Sequence, residues 1–169
     1  LQTKYGIIVF NSPNHQITKS AMNKVLFHLA FPVTDLNEAK RFYVDGLGCG
    51  LGREAPFSLI LDLHGNQIVA QLTDQPPESQ KGIYPRHFGL VFTSKADWQT
   101  LVDRAKAKGL RFYQQPRLRF PGTKLEHATF FLEDPFHNLL EFKHYTHESA
   151  IFGEREDARV GDRVAKPSG

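Results

Sequence analysis

The chain repeats its own pattern, and that repeat restricts the fold to architectures assembled from two like units. His28 heads the apolar run Leu29-Ala30-Phe31 and is followed by Val33-Thr34-Asp35 and a helical stretch. His87 heads Phe88-Gly89-Leu90-Val91-Phe92 and is followed by Thr93-Ser94 and a second helical stretch. From either histidine, a small residue (Ala30, Gly89) stands two positions on and a threonine (Thr34, Thr93) six on. A helix-capping residue, Asp35 or Ser94, stands seven on. Each copy closes on a short apolar run holding one polar side chain, Gln71 in Ile68-Val69-Ala70-Gln71-Leu72 and Glu141 in Leu139-Leu140-Glu141-Phe142.

Periodicity then assigns the segments. Residues 1–23 are predicted to form an N-terminal arm or weak edge strand, 24–73 a first module, 74–85 a linker, 86–146 a second module and 147–169 a loose tail. In the first module the alternation over 24–31 predicts a strand. Asp35 with Glu38 makes a capping box, and Leu36, Ala39, Phe42 and Tyr43 recur at helical spacing up to Gly46 and Gly48. Strands are predicted over Ser58–Leu63 and Gln67–Leu72, joined by the tight turn His64-Gly65-Asn66. In the second module a strand at 87–92 leads to a helix capped by Ser94, carrying Trp98, Leu101, Val102 and Ala105 on one face and ending at Gly109. Strands over 110–114, 126–132 and 139–144 follow. Each module reads βαβββ, so the fold class is α+β. One helix and a short sheet bury too little alone, so two modules pair into a curved, cup-like mixed sheet with helices outside.

Composition narrows the function. The net charge is +3 with scattered basic residues, and no recognition helix or aromatic-basic module accompanies the cluster Arg111, Arg117, Arg119 and Lys124, so nucleic acid is not an expected partner. No apolar stretch approaches a membrane-spanning length. The single cysteine, Cys49, excludes an intramolecular disulfide framework and reads as a packing residue; a cytoplasmic setting is the expectation. No G-x-S-x-G elbow, P-loop or dinucleotide fingerprint occurs.

What remains is metal chemistry. Two imidazoles and a carboxylate suit a divalent ion (Fe, Mn, Ni, Co or Zn) and leave positions open for water and substrate. His28, His87 and Glu141 are the candidate ligands, with Gln71 as a fourth ligand or a hydrogen-bond donor beside them. Strand alternation places Ala30 and Gly89 next to the imidazoles, leaving room for an ion. The residues alone keep a second reading open, in which each histidine is a hydrogen-bonded core residue and Glu141 lies on a wet face. His15, His64 and His137 fall in turns; His127 and His144 fall in strands, as surface residues or proton carriers. Tyr113 and Arg119 read as ordinary packing and solvated surface.

With these residues in hand, the chain resembles the vicinal oxygen chelate superfamily, which includes glyoxalase I, extradiol dioxygenases and bleomycin-resistance proteins. The resemblance rests on His28, on Val33-Thr34-Asp35-Leu36-Asn37-Glu38-Ala39 with Arg41-Phe42-Tyr43, on Gly46-Leu47-Gly48, on His87, and on Glu133-Asp134-Pro135-Phe136-His137-Asn138-Leu139-Leu140-Glu141-Phe142. In the last string His137 stands where the family usually has glycine. The resemblance implies paired βαβββ modules and a metal site at His28, Gln71, His87 and Glu141. It also implies a small substrate held through adjacent oxygens and a possible homodimer. Gln71 in place of a first-module carboxylate sets the chain nearer to a dioxygenase with Fe(II) than to a glyoxalase-type lyase or isomerase. A non-catalytic drug- or metabolite-binding protein is the third expectation.

Overall fold

The computed structural model describes residues 25–75 and 77–161. The expectations for the N-terminal arm and for His15 lie outside them. Two sheets of four strands share one topology. The first contains β1 (His28–Val33), β2 (Gly50–Ala55), β3 (Ser58–Leu63) and β4 (Asn66–Leu72) in the order β1-β4-β3-β2. The second contains β5 (Phe88–Phe92), β6 (Phe112–Arg119), β7 (His127–Glu133) and β8 (Leu139–Tyr145) in the order β5-β8-β7-β6. In each, the first strand runs parallel to the last, and the other pairs are antiparallel.

The helices begin where the caps require. Asp35 Oδ1 accepts from the Glu38 amide at 2.8 Å at the start of α1 (Leu36–Lys40), which continues as a π-helical stretch, Arg41–Leu47. Ser94 Oγ accepts from the Asp97 amide at the start of α2 (Lys95–Ala107). Gly48, at φ +92°, turns the chain out of the first helix in a left-handed conformation open to glycine. β1 starts later than predicted, at His28. β2 was not singled out by periodicity because all six of its residues are exposed, which leaves no apolar alternation to read.

Both modules contribute to one core. Phe31, Tyr43, Leu59, Leu61 and Ile68 belong to the same buried cluster as Trp98, Phe130, Leu140 and Phe142. Arg104 of α2 donates to the carbonyls of Gly46 and Asp45 at 2.8 and 3.0 Å, tying the second helix to the end of the first. Each helix covers one face of its sheet, and the polar candidates occupy the opposite faces.

The turn before β8 is the second tie. Buried Asp134 accepts from the amides of Phe136 and Asn138 at 2.9 and 2.7 Å and from Tyr43 Oη at 2.7 Å. Burial raises its carboxyl, and the donors only partly offset this. His137 in this turn has φ +66°, which accounts for glycine being usual there. Tyr43→Phe leaves a buried carboxylate short of one donor and is expected to cost about 1–3 kcal/mol in urea denaturation.

Of the expected tail, 147–161 lies among the described residues. After β8 a short 3-10 turn, Glu148–Ile151, and the chain up to Gly161 lie against the second sheet and wall a cavity beside it.

Candidate metal centre

His87 and Glu141 form the nucleus of the site. His87 Nδ1 lies 2.8 Å from the Ile83 carbonyl, which can only accept, so Nδ1 carries a hydrogen. This is the outward support that ligating imidazoles commonly have. Nε2 then faces Glu141 Oε2 at 3.1 Å. A neutral imidazole would oppose its lone pair to a carboxylate, so the contact demands positive charge, from a second proton or a bound cation. Adjacent positions around an octahedral ion with bonds of about 2.1 Å lie about 3 Å apart, so the pair fits a divalent ion as two neighbouring donors.

Glu141 is held from two further directions. Thr129 Oγ1 donates to Oε1 at 2.8 Å, and Lys143 Nζ stands 3.0 Å from Oε2. Burial pushes the carboxyl up, but the bonds from His87, Lys143 and Thr129 outweigh it and bring the pKa to about 2. The bond to Glu141 raises the His87 imidazole, with burial opposing. Lys143 and Thr129 were not anticipated. Lys143 follows Glu141 at the two-residue period of a strand, whereas Thr129 enters through the register Thr129↔Lys143 on a neighbouring strand.

The signs of these shifts give a pH profile for the metal-free protein. Glu141 contributes stability above its unfolded value near 4.5, which is lost as pH falls toward about 2. His87 contributes below its unfolded value near 6.5, and this is lost as pH rises through its higher folded value. Urea denaturation across pH is expected to show an alkaline decline that His87→Gln flattens.

The other two candidates lie elsewhere. His28 is exposed on β1, its Nδ1 2.8 Å from Gln67 Oε1. Gln71 is exposed on β4, opposite Pro32 and Ser58. The register of the repeat is informative here. Gly89 pairs with Glu141 as Ala30 pairs with Val69, and Val91 pairs with Lys143 as Pro32 pairs with Gln71. Glu141 therefore has Val69 as its counterpart in the first sheet, and Gln71 corresponds to Lys143. Among the described residues no group of three or more His, Cys, Asp or Glu side chains converges.

The remaining candidates sort by burial. His144 Nδ1 contacts the Phe92 carbonyl at 3.1 Å, away from Glu141. His64 is exposed and packs edge-on against Phe92; His137 Nδ1 meets Glu133 Oε1 at 2.9 Å. Tyr113 packs with Ile83, Phe131 and Leu139, whereas Arg119 is buried rather than solvated. His127 is also not a surface residue, being only 4% exposed. Cys49 is a buried packing residue whose thiol burial pushes up to about 12.

Residues 25–142 match the sequence model of the Glyoxalase/Bleomycin resistance protein/Dioxygenase superfamily. The chain belongs to this superfamily. Among curated proteins none matches. A glyoxalase/bleomycin resistance protein/dioxygenase from Alicyclobacillus acidocaldarius shares 44% identity, with 76% of this chain and 96% of that one covered and a TM-score of 0.72. FosX from Listeria monocytogenes, a fosfomycin resistance protein, is 21% identical, over 76% of this chain and 99% of its own, with a TM-score of 0.59. A Nocardioides member of the superfamily is 16% identical, over 75% and 87%, with a TM-score of 0.55. The last two likenesses show the shared fold. Superfamily members bind small molecules, commonly with divalent metals, and often form dimers. No helix among the described residues is long and apolar enough to cross a membrane.

Proposed function

We propose that the chain is a metal-dependent enzyme of the vicinal oxygen chelate type, acting on a small molecule through adjacent oxygens and nearer to a dioxygenase than to a lyase. One observation carries this reading: His87 Nε2 and Glu141 Oε2 face each other at 3.1 Å with the other imidazole nitrogen already engaged. His87 and Glu141 hold the ion, Fe(II) in first place, with Mn, Ni, Co or Zn as substitutes. When bound, the ion acts as a Lewis acid toward two adjacent substrate oxygens. Thr129 orients the carboxylate, and the Ile83 carbonyl fixes the tautomer of His87.

His28 is the third ligand, supplied by a second copy. It is exposed on β1 near Leu26 and Phe27, which are 51% and 56% exposed and suit a covered surface. Gln71 lies on the same strand face as Gln67 and Val69, as a polar neighbour rather than the counterpart of Glu141. Val69 at that counterpart position offers no first-module carboxylate, which weighs against the lyase reading. A reduced Cys49 fits a cytoplasmic setting.

Lys143 favours a second reading. Its ammonium stands 3.0 Å from the oxygen that His87 also faces, so a proton and Lys143 can satisfy Glu141 without metal, as a non-catalytic binding protein would have it. Elemental analysis and oxygen uptake with catechols after anaerobic Fe(II) loading separate the two. Stoichiometric metal with oxygen uptake is expected; metal-free protein after loading would establish the second reading. Mixing His28→Ala with Glu141→Ala chains is expected to restore about one intact site per mixed dimer. No restoration would remove His28 from the site.

A further inference from the structure

Residues 150–161 form a strap across the polar face of the second sheet, and strap and sheet enclose a cavity of about 270 Å³. The sheet side is lined by Arg119, Phe120, His127, Lys143 and Tyr145. The strap lies beyond residue 142, where the superfamily match ends. It buries little apolar surface, since Phe152 and Val160 are 92% and 84% exposed. Its hydrogen bonds are mostly short-range. The Gly153 amide donates to the Ser149 carbonyl at 2.7 Å, the Asp157 amide to the Glu154 carbonyl at 3.0 Å, and Ser149 Oγ to Glu154 Oε1 at 2.7 Å. Glu154, 3.7 Å from Lys124, and the Arg159 guanidinium, 5.0 Å from the Phe120 ring, tie it to the sheet. A segment held in this way opens at far lower cost than the sheet beneath it.

His127, under the strap, is the group that such an opening would affect most. Its ring is almost wholly buried, its Nδ1 lies 2.8 Å from the Leu125 carbonyl, and its Nε2 has no hydrogen-bond partner among the described residues. A carbonyl can only accept, so Nδ1 carries the hydrogen of the neutral ring. A second proton, on Nε2, would make an enclosed cation whose new donor has no acceptor.

The neighbours do not offset that cost. From β6 comes buried Arg119, its guanidinium 5.6 Å from the Phe120 ring. From β8 come Tyr145, 4.8 Å from the imidazole ring, and Lys143, already paired with Glu141. In the strap, Asp157 is engaged by Arg159, and Glu154 by Ser149 and Lys124. Glu126, next to His127 in the chain, accepts from the Gly122 amide and from Thr146 Oγ1. Burial is the main cause that lowers the His127 imidazole, and Lys143 and Arg119 add to it; the Leu125 carbonyl and Glu141 oppose only in part. The closed form therefore holds this proton more weakly than an open form with a solvated ring. Closure is unaffected above the ordinary imidazole value near 6.5 and loses stability as pH falls below it.

We propose that the strap is a proton-controlled cover, released when His127 takes a second proton in mildly acidic solution, and that its release opens the sheet face leading to the His87–Glu141 pair. The register sets His127 opposite Tyr145, Thr129 opposite Lys143 and Phe131 opposite Glu141, so the strap crosses the end of the face that carries the pair. The consequence for access to the pair rests on the proposed function; the release itself does not.

Hydrogen exchange of the metal-free full chain, corrected for the intrinsic effect of pH, reads the opening of 150–161. Between about pH 7.5 and about pH 5.5 the opening constant is expected to rise about tenfold, the factor for a ring that titrates near 6.5 when open and stays neutral when closed. Asp157, held at about 2 by Arg159, keeps its charge throughout and adds nothing to the rise. His127→Gln should remove the rise, and His147→Gln, just before the 3-10 turn, should leave it in place. Histidine NMR of the wild type needs no variant: the His127 ring should become charged only in step with exchange of the strap. A flat opening constant, a rise kept in His127→Gln or lost in His147→Gln, or a His127 ring that charges under a still-protected strap would overturn the proposal. No metal or substrate enters these measurements, so their failure and that of the metal reading are distinguishable.

Discussion

Gly89→Ala is expected to destabilise the protein by about 3 kcal/mol and to spoil the candidate metal centre as well. A Cβ on Gly89 would lie 1.7 Å from the Glu141 carbonyl oxygen and 2.7 Å from its carbonyl carbon. These are backbone atoms of the partner strand, so no rotamer change relieves the clash, and β5 must move away from β8. That displacement carries His87 away from Glu141, whose spacing is the basis of the site. The counterpart in the first sheet is already alanine, Ala30 opposite Val69, so the demand for glycine comes from the close approach in the second sheet alone. Chemical denaturation gives the stability change, and a metal titration of the folded variant gives the second effect. A variant with wild-type stability and metal affinity would contradict the close packing of β5 on β8.

Glu141→Gln should have the largest effect on metal binding. The amide keeps nearly the same shape and can still accept from Thr129, so the fold is expected to survive. What disappears is the charge that answers both His87 and Lys143. Affinity for Fe(II) or Mn(II) is expected to fall by more than about 100-fold, judged against the 10- to 100-fold typical of losing even an outer-shell partner. The His87 imidazole should also return toward its ordinary value, because the bond to Glu141 is the main cause that raises it. Imidazole NMR and metal titration measure the two effects independently. Wild-type metal affinity in Glu141→Gln would place the ion elsewhere.

The sequence and the structure differ most instructively at Gln71. Counting from the chain alone, it is the polar residue in the last strand of the first copy, and it looks like the partner of Glu141. Only strand register assigns that place to Val69, because which residues face each other depends on where the strands start pairing. The same holds for Thr129, twelve residues from Glu141 along the chain yet bonded to its carboxylate. His127 has no distinguishing neighbour in sequence; its burial comes from Tyr145, Phe120 and a tail that shows no periodicity of its own.

The chain by itself determined its duplication, its βαβββ units, both helix caps and the pairing of His87 with Glu141 as candidates. These are local matters, written in spacings of two, three and four residues that the backbone geometry of strands and helices enforces. Tertiary structure alone decided that His28, His87 and Glu141 do not converge as a group of three among the described residues, that Lys143 stands on the carboxylate, and that buried His127 lines a cavity. Such facts depend on which surfaces two modules bury against each other, and no short-range pattern encodes that choice.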